Sequence, residues 1–107
     1  GWLRGYTDKP VAMIETGYTT KDRQVNGINF PGNEALQEAF LRDLIHIAKE
    51  DQYLFVVWFV PIDYEKLLVK LPDSENKNAA YIWVNAGLFD GDLNPKPAWE
   101  FWPKVKE

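Results

Sequence analysis

Tyr53 to Val60 reads YLFVVWFV, an uninterrupted apolar and aromatic run that Pro61 closes. It is far shorter than the roughly 20 residues that cross a bilayer. Its β-branched and aromatic residues favour a strand over a helix. A strand apolar on both faces has to be covered on both, which is the situation inside a parallel sheet. This run therefore constrains the chain to a layered α/β arrangement more than any other feature.

A second, shorter run supports that reading. Pro10 opens Val11 to Ile14, and Glu15-Thr16-Gly17 closes it, so a buried strand is expected there. Between the two strands, Asn33 is a good helix N-cap and Glu34 suits a first turn. Leu36, Phe40, Leu44 and Ala48 follow at i+4 spacing, with Leu41 and Ile45 beside them. This predicts an amphipathic helix to about Asp51. Strand, helix and strand make a βαβ unit. Residues 16–32 read as a long polar loop, and such loops are more often functional or mobile than idle. Asp63 to Leu71 predicts a short helix stopped by Pro72, with a loop over 73–78. Residues 79–89 are ambiguous between helical turn and strand. Asp90 to Pro95 is turn chemistry. Pro97 suits the first position of a last helix, Ala98 to about Val105.

The 107 residues allow one domain at most. The net charge of −4, with no basic block, disfavours nucleic acid and anionic membrane as partners. Cys is absent, so disulfides, thiolate metal sites and cysteine nucleophiles are excluded. Asp90, Asp92 and Asn94 copy the opening of a calcium loop, but Pro95 stands where Gly is needed and Phe101 where the bidentate Glu is needed. His46 is the only histidine and lies on the polar helix face. No metal or cofactor is expected. The 5 Trp among 16 aromatic residues are the unusual entry: they form either a bulky core or a surface that stacks on sugar rings.

Four residues are candidates for chemistry. Glu15 closes a parallel strand at its C-terminal end, where α/β folds place their sites; otherwise it is a surface carboxylate at a strand-to-loop junction. Strand alternation puts Val11, Met13 and Glu15 on one face, and Leu54, Val56, Trp58 and Val60 on another. If the strands are neighbours, Glu15 and Trp58 converge over one cavity, the carboxylate to react and the indole to stack on a sugar; the competing role for Trp58 is core packing. Asp63 could accept from a substrate hydroxyl or serve a turn. Tyr18 could orient Glu15 or pack in the loop.

Lys9 to Tyr18, KPVAMIETGY, resembles the seventh strand of the clan A (β/α)8-barrel glycoside hydrolases, an apolar strand ending in Glu-Thr/Phe/Tyr-Gly. Tyr53 to Val60 resembles their eighth strand, with its Trp near the C-terminal end. Gly87 to Ala98, GLFDGDLNPKPA, resembles the segment that follows: Gly-Leu-x-Asp, a turn, then Lys-Pro-Ala opening the last helix. The order and spacing of these motifs cover residues 9–102, and the nearest likeness is to endo-acting β-glycanases of the cellulase and galactanase type. The resemblance implies that Glu15 is the nucleophile of a retaining β-glycosidase acting on carbohydrate, and that Trp58 floors a sugar subsite. It also implies a cis peptide at Trp58–Phe59 and a secreted or periplasmic location.

Such an enzyme needs a second carboxyl about 5–5.5 Å from the nucleophile. In the family it belongs to an Asn-Glu that ends the fourth strand. The Asn-Glu of this chain, Asn33-Glu34, opens a helix instead, so the acid/base is missing. A whole barrel takes about 250 residues. The expected architecture is therefore a βαβα unit with parallel strands, the last quarter of a TIM barrel, residues 1–107 forming a single partial domain. Activity would belong to the complete barrel. The isolated chain would be silent, and its open strand edges would favour self-association. Two rivals stand beside it: a carbohydrate-binding module stacking sugars on Trp58, Trp83 and Trp99, and a stand-alone α/β interaction domain. Trp2 has no assigned role.

Overall fold

The computed structural model describes residues 5–103. In chain order the elements are β1 (Met13–Thr16), β2 (Arg23–Val25), β3 (Ile28–Phe30), α1 (Glu34–Glu50), β4 (Val56–Trp58), α2 (Glu65–Leu68) and α3 (Glu75–Ala80), then a 3₁₀ turn over Pro97–Phe101. β1 and β4 pair in parallel across α1, so the βαβ unit is present and the fold is a small α/β one. Trp2 and the far end of the expected last helix lie outside the described residues. What is described of that helix is the 3₁₀ turn, whose chain turns extended at Trp102.

The helix starts where its cap requires. Asn33 is extended, and its Oδ1 accepts from Leu36 N at 2.8 Å. The buried stripe runs through Gln37, Leu41 and Leu44, one step round from the expected line through Leu36, which is 39% exposed. A polar residue tolerates the centre of that stripe because its amide is used. Gln37 Nε2 donates to the carbonyls of Tyr18, Ala86 and Gly87, while its buried Oε1 has no partner among the described residues.

The core is one-sided. Leu41 and Leu44 of α1, Trp58 of β4, Leu88 and Ala98 form its buried centre, with Met13, Phe40, Val56, Trp99 and Trp102 packed around them. A fully buried residue such as Leu41 contributes roughly 1.5–3 kcal/mol. The opposite face of the sheet is open: Ile14 is 75% exposed and Val57 45%. The radius of gyration, 15.5 Å, exceeds the about 13 Å of a compact domain of this length. Both outer edges of the two-stranded sheet are without a strand partner among the described residues.

Residues 16–32 differ from the expected loop. They hold an antiparallel hairpin, β2 to β3, with Val25 opposite Ile28. Asn26 and Gly27 both have positive φ, 52° and 78°, the backbone that a two-residue hairpin turn requires. The expected loop over 73–78 instead runs into α3. The 90–95 turn forms as expected: Asp90 accepts from the backbone of Asp92 and Asn94, both at 2.9 Å.

Candidate functional site

The two parallel strands each lead into a carboxylate, and their surroundings differ. Glu15 lies in the last turn of the β1 ladder, with its side chain exposed. Among the described residues its carboxylate accepts no hydrogen bond and joins no ion pair. The β1–β4 register slips between Met13 and Thr16: Met13 pairs with Val56, and Thr16, not Glu15, pairs with Trp58. The slip adds a residue to β1 and so interrupts the alternation that would set Glu15 on the Met13 face.

Gly17 follows two residues later and is held closely. A Cβ there would lie 2.2 Å from the Phe59 carbonyl oxygen and 3.3 Å from the Trp83 ring. The glycine of the Glu-Thr-Gly motif is thus what lets β1 pass under the chain leaving β4. Trp83 meets Phe59 edge to face, centroids 5.9 Å apart at 86°. Together with Phe30, Pro31 and Ile82 it lines a cleft of about 270 Å³ beside Gly17.

Trp58 is not at this rim. Its indole is 7% exposed, packs near Phe40 and Trp102, and donates Nε1–H to Ala86 O at 2.8 Å. It faces α1, because Val56 and Trp58 share the strand face that the helix covers. Glu15 is absent from the walls of the cavity that Trp58 lines, so the two do not converge over one cavity. Trp58 takes the core-packing role. The cis peptide lies at Phe59–Val60, one residue beyond the expected Trp58–Phe59. Tyr18 also packs: its ring lies 5.2 Å from that of Phe40.

Asp63 is buried and its carboxylate is held by three hydrogen bonds. Oδ1 accepts from Lys96 Nζ at 2.8 Å and from Gly87 N at 2.9 Å. Oδ2 accepts from Asn85 Nδ2 at 3.1 Å. Lys96 also donates to Thr20 Oγ1 and to Asn85 O. This node ties the segments after β1 and β4 to the 85–87 backbone and the Lys96 side chain, and three of the roughly four acceptor positions of Asp63 are taken within the protein. Gly87 fits because a Cβ would meet the Asp63 backbone at 2.5 Å.

Beside the node a polar cleft of about 370 Å³ runs past Lys21, Glu34, Glu65 and Lys66. Glu65 accepts from Asn85, and from Lys21 at 3.1 Å; these two hydrogen bonds hold its carboxyl below the usual carboxylate range. Among the described residues, no group of three or more His, Asp and Glu is placed to hold a metal ion. No described helix is long and apolar enough to cross a membrane.

Sequence reading missed Lys96 as an organising residue and named Trp83 only for the stacking platform of the rival binding module. Trp83 sits in a segment without periodicity. Lys96 acts on partners 33 and 76 positions away, a separation that no local pattern reports. No family model, curated protein or solved structure matches this chain.

Proposed function

We propose that the chain is carbohydrate-active, as the C-terminal part of a retaining β-glycosidase barrel in which Glu15 is the nucleophile. One observation carries the reading: Glu15 is a solvent-facing carboxylate, unpartnered among the described residues, near the C-terminal end of a parallel strand and two residues before a glycine packed under Trp83 and Phe59. The open sheet face and the two strand edges left unpaired among the described residues suit a unit that further strands complete. The motif likeness of residues 9–102 supports the same class.

In this reading a Glu15 oxygen attacks the anomeric carbon and forms a glycosyl ester while the bond to the leaving oxygen breaks. That oxygen takes its proton from an acid outside this chain. The sugar platform passes from Trp58, which the core holds, to the exposed rim beside Gly17. A second reading, non-catalytic carbohydrate binding, is favoured by the aromatic cleft itself, which does not need Glu15.

Covalent trapping tests the proposal. A 2-deoxy-2-fluoro-β-glycosyl fluoride carries a leaving group that departs without protonation, so the missing acid is no obstacle. Incubation with the gluco and galacto reagents should add one fluorosugar, mapped by mass spectrometry to the Glu15 peptide and absent in Glu15→Gln. Label elsewhere, or none with Glu15 intact, contradicts the nucleophile assignment.

A further inference from the structure

We propose that the cleft between the β2–β3 hairpin and the 81–85 turn is a ring-stacking carbohydrate subsite with Trp83 as its platform. This rests on the carbohydrate reading above and adds where the neighbouring ring of the same oligosaccharide lies.

The cleft is built from two walls that are pinned together. Phe30 and Pro31 of the hairpin form one, Ile82 and Trp83 the other, and Gly17 is its floor. Arg23 of the hairpin lies over the Tyr81 ring, 4.6 Å from its centroid, and donates to Asn85 Oδ1. The hairpin is thereby fastened to the same turn that carries Trp83. The indole is held by Phe59 on one side and by the close approach to Gly17. A ring fixed in advance loses little side-chain freedom when a ligand stacks on it.

The size and chemistry select a ligand. At about 270 Å³ the cleft lies just below the about 300–1,000 Å³ of drug-sized ligand pockets, a size that suits a single ring. Its walls offer ring faces and aliphatic carbon. The Thr19 hydroxyl beside them is spent on the Lys21 carbonyl, at 3.0 Å. A sugar's C–H face suits such a surface, since an aromatic face is electron-rich. Gly17 is two residues beyond Glu15, at most about 7 Å of chain, a span that neighbouring rings of one oligosaccharide can bridge. Because the lining of the cleft is mainly apolar, chain length should govern affinity more than sugar epimer.

The test is a titration of the 107-residue chain, labelled with ¹⁵N, by cellotetraose and by β-1,4-galactotetraose. Trp83→Phe assigns the indole resonance. Both tetraoses should shift the Trp83 indole N–H and the Gly17 and Ile82 amides saturably, and the matching disaccharides should bind more weakly. Ile82→Arg fills the cleft from its partly exposed wall and should weaken binding at least about tenfold, or about 1.4 kcal/mol, with the remaining spectrum folded. Trp83→Ala should do the same. Unmoved Trp83 and Gly17 signals, or full affinity in a folded Ile82→Arg protein, overturn the proposal. Label on Glu15 without Trp83 shifts would end this inference and leave the nucleophile reading standing. Trp83 shifts without label would do the reverse.

Discussion

Asp63 and Glu15 are both acidic residues at or just past the C-terminal end of a parallel strand, and they have opposite surroundings. Asp63 is buried, bonded to a lysine, an amide side chain and a backbone N–H. Glu15 is exposed and has no side-chain partner among the described residues. A carboxylate whose lone pairs are taken holds structure together; one whose lone pairs are free is available to react. Position at a strand end therefore nominates a residue, and the partner count decides its role.

The contrast can be broken or sharpened by substitution. The largest effect is expected at Lys96, whose side chain is 5% exposed against 6% for Asp63. Lys96→Ala leaves a buried carboxylate without its cation, which costs about 3–5 kcal/mol. Loss of the cooperative thermal transition would show it; an unchanged melting curve would show that the node is idle. Gly17→Ala comes next. Its Cβ would press on the Phe59 carbonyl, and the strands must part, at about 1–3 kcal/mol. Its imprint should be confined to the amide shifts of Phe59, Val60 and Trp83. A uniform loss of structure would place Gly17 in the core instead of at the rim.

The smallest effect concerns Glu65, at the solvent side of the node. Asn85 and Lys21 hold its carboxyl below the ordinary value of 4.5. A depressed folded-state value means that its contribution is complete above about 4.5 and is lost as pH falls through the lower folded value. Glu65→Gln should flatten that part of the acid limb. Half-exposed and screened, the pair is worth under about 1 kcal/mol. An acid limb identical in the two proteins would deny Glu65 any share in the node.

Legibility followed the range of the interaction. The helix was readable because Asn33 and the i+4 apolar series act within a few residues. The parallel pairing of β1 with β4 followed from a strand apolar on both faces. The hairpin was missed although Asn26-Gly27 carries a strong local turn signal; its short flanking strands lack alternation, and the segment's polarity argued for a loop. The face of Trp58 was half-read. Its sharing of a face with Val56 held, but which face α1 covers is a tertiary fact. The register slip that separates Glu15 from the Met13 face has no sequence mark. The Asp63–Lys96 node joins four distant segments, and only the folded backbone brings them together.

The division between a structural and a free carboxylate is tested most directly by urea denaturation of Asp63→Asn and Glu15→Gln side by side at neutral pH. The account predicts that Asp63→Asn, which strands the Lys96 charge, loses about 3–5 kcal/mol. Glu15→Gln should stay within about 0.5 kcal/mol of the parent. Equal losses, or a stable Asp63→Asn beside a destabilised Glu15→Gln, would contradict it.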